Sequence, residues 1–449
     1  MALTGIDIFK KLPKTNCGDC GVPTCLAFAM AIAAGKADLE SCPHVSDEAK
    51  EALGAASAPP IRPFAIGVGD DAVKVGGETV EFRHEKTFVS PTPIAILVTT
   101  DEDDATVEAK VKKLDEFQYD RVGVLLKPEM VAIKDTAGDA GKFEALVKKV
   151  QDLKKAPTVL ISENVDALKA GAAACGDNKP VVYPVTADNA DAMAEFGKES
   201  GCPLGVKADG AEAVSAITEK LMGAGIKDMV LDTGARQLKQ AFEDQVAIRR
   251  AALRNLFRPV GFPTICFPCE MTDDPVTETL YAATFIAKYG GIVVLSDLSG
   301  ETVFPLLLER LNIFTDPQRP MATPEDIYPI GNPTENSPVL ITSNFSLTYF
   351  IVAGEVESSR VDSWLLVKDT EGLSVLTGWA AGKFVADAIA PFVNKCGITD
   401  KVKHRKLIIP GYCAQISGEL EEELPDWEIM IGPREAAHIA AFLKSWTPD

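Results

Sequence analysis

The sequence predicts an α/β protein in three parts, built around a closed (β/α)8 (TIM) barrel. Three observations carry this prediction. Eight short apolar, β-branched runs recur between residues 92 and 311, with amphipathic stretches between them. Two proline-bearing segments without periodicity, 54–63 and 312–338, set that region apart from the ends of the chain. Four cysteines crowd into the first 42 residues.

Taken in order, residues 1–57 form a small domain that reads as mostly helical and contains Cys17, Cys20, Cys25 and Cys42. Residues 58–91 are a linker in which 72–75 and 79–83 alternate around Gly76-Gly77, the pattern of a short hairpin. The apolar runs 94–98, 130–133, 158–161, 181–185, 204–206, 229–231, 264–267 and 292–295 follow. Helical segments such as 105–116, 142–153 and 211–222 lie between them. Continuous apolar strands of this kind belong to a parallel sheet covered on both faces. Eight such units in 92–311 suit a closed barrel, with an open doubly wound sheet as the alternative. Residues 122–126 compete with 130–133 for the second strand. Prolines at 317, 320, 324, 329, 333 and 338 make 312–337 a second linker, because neither helix interiors nor central strands accommodate them. The last domain, 338–449, alternates again. Its strands are expected at 339–342, 363–368, 406–409 and 428–431, and its helices at 347–352, 379–393 and 434–444.

Composition narrows the function. A net charge of −20 argues against nucleic acid or an anionic membrane as partner, since both repel it. The longest apolar run, 25–34, falls well short of the roughly 20 residues that cross a bilayer. Residues 1–12 lack the apolar core of a secretory signal, so a cytoplasmic protein is expected. Ten cysteines in 449 residues are no disulfide framework, and crowding in a reducing compartment points to metal or redox chemistry.

The crowded pattern is Cys17-x2-Cys20-x4-Cys25-x16-Cys42-Pro43. Two thiolates three residues apart on a tight turn reach one metal centre, and Gly18 and Gly21 let backbone N–H groups approach the sulfurs. The prediction is a [4Fe–4S] cluster with these four ligands. The alternative is a structural zinc ion, although zinc ribbons usually carry two C-x2-C pairs and the pairs here are unequal.

The run from Lys14 through Cys25, followed by Cys42-Pro43, resembles the cluster domain of the large (γ) subunit of corrinoid iron–sulfur proteins. The C-terminal run 367–384 is also similar, as is the order of domains over the whole chain. The family is related to the archaeal acetyl-CoA decarbonylase/synthase γ subunit. The resemblance implies a cobamide (a corrinoid cofactor) held by 338–449 in a Rossmann-like domain. It also implies a heterodimer with a small barrel subunit. The family works in the acetyl-CoA (Wood–Ljungdahl) pathway as a methyl carrier. A methyltransferase delivers the methyl group of methyltetrahydrofolate to cob(I)amide, and acetyl-CoA synthase/CO dehydrogenase receives it. Archaeal relatives use a tetrahydropterin donor, and the sequence does not separate the two. The cluster would relay electrons to rescue cobalt oxidised to Co(II). Two readings compete: an iron–sulfur electron-transfer subunit without corrinoid, and a barrel methyltransferase acting directly on a pterin.

The residues themselves favour a ligand in the last domain, since ligands of open α/β sheets sit at the C-terminal ends of strands. Those ends are rich in hydroxyl and small residues. Thr342 and Thr348 flank the first, and Thr370, Gly372, Leu373, Ser374 and Val375 follow the second. Gly411 ends the third and Gly432-Pro433 the fourth, so Thr342, Thr348, Thr370, Gly372–Val375 and Pro433 are the candidate cofactor contacts. The bland reading is ordinary loop and cap chemistry. His44, His84, His404 and His438 sit in no Asp-x-His-x-x-Gly loop, so a base-off cobalt without an axial histidine is expected. No catalytic side chain is assigned, the chemistry lying at cobalt. Cys266 and Cys269 form a C-x2-C at a barrel strand end, more simply buried structural cysteines than a redox pair. His44 reads as a surface residue, with a place beside the cluster as the alternative.

Overall fold

A computed structural model describes residues 5–33, 37, 39–46, 49, 59–121 and 123–448. The chain divides into two compact units, 1–118 with 127–314 and 119–126 with 315–449.

In the first unit the helices Gly5–Lys11 and Cys25–Ala33 pack together around Ile8, Leu12, Phe28 and Ala29, with the buried Cys25 and Cys42 in the same cluster. Of the first expected linker, 54–58 lie outside the described residues. Residues 59–63 are held against the barrel. Arg62 N donates to Gly261 O at 2.9 Å, its Nε pairs with Asp228 Oδ1 at 2.9 Å, and Gly77 N donates to Ile61 O at 2.9 Å.

The hairpin exists, but with a different arm. β1 (Phe64–Ile66) pairs antiparallel with β2 (Val73–Val75), and 79–83 is not a strand. The alternation in 79–83 serves another purpose. Val80 O accepts from Arg249 Nε and Nη2, and the Glu81 carboxylate takes Arg250 and Arg254. The Val80 carbonyl and the Glu81 carboxylate therefore anchor the segment to the helix Leu238–Arg254 instead of a partner strand.

β3 (Ile94–Thr99) is followed by a second antiparallel hairpin, β4 (Tyr119–Arg121) and β5 (Val124–Leu126). The barrel continues with β6 (Met130–Lys134), β7 (Thr158–Ile161), β8 (Val181–Val185) and β9 (Leu204–Lys207). β10 (Met229–Asp232), β11 (Ile265–Cys266) and β12 (Ile292–Leu295) complete it. All its pairings are parallel, in the order β10-β9-β8-β7-β6-β3-β12-β11. A single bridge, Leu231 to Thr264, closes the ring. Residues 130–133 are thus the second barrel strand, and 122–126 belong to a separate hairpin. Helix starts are capped as the loop sequences require: Asp103, Asp139, Asn164 and Asp274 each accept backbone N–H groups of the first turn. The barrel is packed, not hollow. Met130, Val159, Val181, Tyr183, Phe267 and Val294 fill it, and Ile66 and Val75 of the first hairpin join the same cluster.

The second unit has β13 (Asp326–Ile330), β14 (Val339–Ser343), β15 (Ser363–Lys368), β16 (Lys406–Ile409) and β17 (Glu428–Ile431). Their order is β13-β15-β14-β16-β17, with β13 antiparallel and the rest parallel. Residues 312–337 are therefore not a bare linker. They begin inside the helix Gly300–Phe314 and contain β13, an edge strand, where Pro329 removes no needed hydrogen bond. The expected helix 379–393 is two helices, Val375–Ala380 and Ala386–Lys395, broken near Gly382 at φ +70°. The sheet is covered on both faces. One cluster holds Ile341, Leu366, Phe384 and Ile409, the other Leu340, Leu365, Ile408 and Ile439.

Candidate functional sites: a cysteine cage and a strand-end cavity

The cysteine loop is shaped by its backbone. Lys14, Asn16, Gly18 and Gly21 all have positive φ, and Gly21 N donates to Gly18 O at 2.9 Å. A Cβ at Gly18 or Gly21 would meet nothing within 4 Å, so conformation rather than crowding calls for glycine. Asn16 Oδ1 accepts from Cys25 N at 2.8 Å, which fixes the third cysteine at the start of its helix. Cys17 is exposed, Cys20 half-buried, and Cys25 and Cys42 buried, all as free thiols. Among the described residues no three of these sulfurs lie within 4.8 Å of one another. Four thiol ligands of this kind can hold an iron–sulfur cluster or a zinc ion. His44 Nε2 lies 2.6 Å from Asp19 Oδ2, and both groups fall within 4.8 Å of Cys17 Sγ. The hydrogen bond with His44, then one with Cys17, holds the Asp19 carboxyl below the usual range. His44 is exposed and also sits beside the cage.

The second site lies where the parallel strand order reverses, between β14 and β16. Beyond their C-terminal ends is a cavity of about 230 Å³. Its floor is Leu340, Ile341, Thr342, Ile408 and Ile409, and its walls include Thr348, Ile351, Val375, Pro433 and Ile439. Of the expected contacts, Thr342, Thr348, Val375 and Pro433 line it. Thr370 and Gly372 are buried behind the rim, bonded to Asn344, while Leu373 and Ser374 lie on the segment between them and Val375. Sequence reasoning missed the apolar floor and Ile351, because strand apolarity reads as core. Thr342 is 1% exposed, and its Oγ1 has no hydrogen-bond partner; the neighbouring Ser343 Oγ has none either. Buried hydroxyls without partners are rare. A cavity of 230 Å³ is smaller than the roughly 300–1,000 Å³ of pockets that enclose whole ligands. It suits one end of a larger molecule.

A family model described as "CO dehydrogenase/acetyl-CoA synthase delta subunit" matches residues 64–443, and one described as "Putative Fe-S cluster" matches 12–44. The corrinoid/iron-sulfur protein large subunit of Moorella thermoacetica is 44% identical, with 99% of each chain covered. The chain belongs to this large-subunit family. Two γ subunits of acetyl-CoA decarbonylase/synthase complexes are also similar. That of Methanopyrus kandleri is 36% identical over 98% of this chain and 97% of its own. That of Methanothermobacter thermautotrophicus is 32% identical over 99% of both.

Both candidate sites of this large-subunit family member fall inside the matched segments. At the C-terminal end of its barrel, the usual location of a barrel's active site, several charged groups pair with one another. Tyr183 donates to Asp232 at 2.6 Å, Arg236 bridges Asp232 at 2.9 Å and Glu270 at 2.6 Å, and Lys134 reaches Glu270 at 2.8 Å. Burial pushes Glu270 up, but the bonds from Lys134 and Arg236 outweigh it and hold the carboxyl low. Burial pushes the Cys266 and Cys269 thiols well above the usual range. No helix among the described residues is long and apolar enough to cross a membrane.

Proposed function

We propose that this chain is the methyl-carrying subunit of a corrinoid-dependent methyl-transfer system, with an iron–sulfur cluster on Cys17, Cys20, Cys25 and Cys42. The observation that carries the reading is the cavity at the β14/β16 reversal, with a buried hydroxyl that lacks a partner. Relatives over the whole length are named for a corrinoid and an iron–sulfur centre, and for complexes of acetyl-CoA synthesis. A cobamide held here supplies the nucleophile that takes up a methyl group and the leaving group that gives it away.

The chain's own part is binding and access. Among the described residues the only ionisable side chain lining the cavity is Arg434, so the walls offer no acid–base pair. The apolar cavity would take the nucleotide base of a cobamide, with Thr342, Thr348, Val375 and Pro433 lining it. Among the described residues no histidine lines the cavity. His404 Nε2 bonds Ser337 O at 2.8 Å near the start of β16, the opposite end of the strand, and His438 is exposed and outside the lining. These placements support the expectation that a cobamide bound here would be base-off, without an axial histidine. The partners implied are a small barrel subunit, a methyltetrahydrofolate:corrinoid methyltransferase and acetyl-CoA synthase/CO dehydrogenase, in the cytoplasm.

Metal analysis of the anaerobically purified chain tests this. Cobalt is expected equimolar with the chain, together with iron. Cys20→Ala should lose the iron and keep the cobalt, and paramagnetic resonance of the reduced cobalt should lack the nitrogen splitting of an axial imidazole. Iron without cobalt uptake would leave electron transfer as the function.

A further inference from the structure

β14 ends at Ser343, and the next residue, Asn344, is 4% exposed. Its backbone already joins two segments: its N–H donates to Lys368 O at 2.9 Å and its carbonyl accepts from Thr323 N at 2.8 Å. Its side chain joins a third. Oδ1 accepts from Thr370 N at 3.0 Å and from Gly372 N at 2.9 Å, and Thr370 Oγ1 lies 2.9 Å away. Nδ2 donates to Asp369 Oδ1 at 2.8 Å, the oxygen that also accepts from Glu371 N at 2.8 Å. Both polar atoms of the Asn344 side chain are thus engaged with residues 369–372, and these lead directly to the cavity-lining Val375.

That stretch needs holding. Glu371 sits at φ +57° and Gly372 at φ +75°, a left-handed pair that costs free energy at the glutamate. Thr370 is fully buried, and the helix Val375–Ala380 packs on it: a Cβ at Gly378 would meet Thr370 Cγ2 at 3.2 Å. Moving Thr370 therefore moves the helix that begins at the cavity wall. The hub must accept backbone N–H groups with one atom and donate to a carboxylate with the other. Asparagine does both; aspartate lacks the donor and alanine lacks both.

We propose that Asn344 is a positioning residue, which sets the loop 369–375 at the cavity's edge and thereby governs how tightly a cobamide is held. It acts through the loop, since it does not itself line the cavity. The proposal rests on the reading of that cavity as a cobamide site.

The test uses the full chain with hydroxocobalamin as probe. It follows the rate of cobalamin loss on dilution, the visible spectrum of the bound form and the melting of the cobamide-free chain. Asn344→Ala should release the probe on the order of tenfold faster, the loss of one or two net hydrogen bonds, with a changed spectrum. Asn344→Asp keeps the acceptor but faces Asp369 with a like charge. One shared proton would restore the missing donor, so its release should slow towards wild type as the pH falls. The charged groups around that pair are Glu371 with Lys383 and Glu325 with Lys368; wild type has them too, and its own profile is the baseline. Release from Asn344→Ala at the wild-type rate overturns the proposal. Should that variant fail to melt cooperatively, an Asn344→Asp profile parallel to wild type overturns it instead. A wild-type chain that takes up no hydroxocobalamin overturns the cavity reading, and this proposal with it.

Discussion

Thr342 and Asn344 lie two residues apart at the end of one strand, and their polar atoms have opposite fates. The Thr342 hydroxyl is buried and unpaired, whereas both polar atoms of the Asn344 side chain are bonded. An unpaired buried hydroxyl costs the folded chain about 1–3 kcal/mol. Thr342→Val, nearly the same shape, should therefore leave the cobamide-free chain as stable or more so, and weaken cobamide binding severalfold. Thermal melting and a cobalamin titration read the two effects; loss of stability without loss of affinity would contradict the assignment. The sequence marked Thr342 through its position at a strand end. It could not mark Asn344 as a hub, because asparagine is common in every loop and only the fold reveals its partners. The four-cysteine pattern was legible at once, because residue type and spacing are both written in one line of sequence.

Elements were most legible where burial alone decides them. All eight barrel runs became strands because a run buried on both faces carries no competing signal. The 79–83 segment misled because alternation records only which side chains face a surface, and the surface was a helix rather than a strand. That segment makes its own prediction. Arg249 Nη2 meets Glu78 Oε2 at 3.2 Å with both side chains nearly buried, and its guanidinium stacks between Phe88 and Tyr289 at 5.1 and 4.7 Å. Arg249→Ala leaves the buried Glu78 carboxylate without its counter-charge, held only by the Val89 and Ser90 N–H groups, which should cost about 3–5 kcal/mol. Adding Glu78→Gln should recover part of that. Chemical denaturation measures both, and a cost below about 1 kcal/mol would be the figure for a surface pair. Pro329 shows the reverse error: proline content argued for a linker, but it excludes only central strands, and β13 is an edge.

The whole molecule, at net charge −20, divides into two units, and only one contains the strand-end cavity. Calorimetry should resolve two transitions. Saturating cobamide should raise only the one belonging to 119–126 with 315–449, by about 2.7 kcal/mol at a hundredfold excess over the dissociation constant. A single transition that shifts as a whole would mean that the units melt as one block. Within the other unit the ring is uneven. β3 and β6 pair over five residues, whereas β11 is two residues long and meets β10 at one bridge. In its breathing the barrel is therefore less a hoop than a curled ribbon whose ends touch. Amide deuterium exchange should enter at Leu231 and Cys266 and reach the β3–β6 pair last, along a gradient that a uniform barrel would lack.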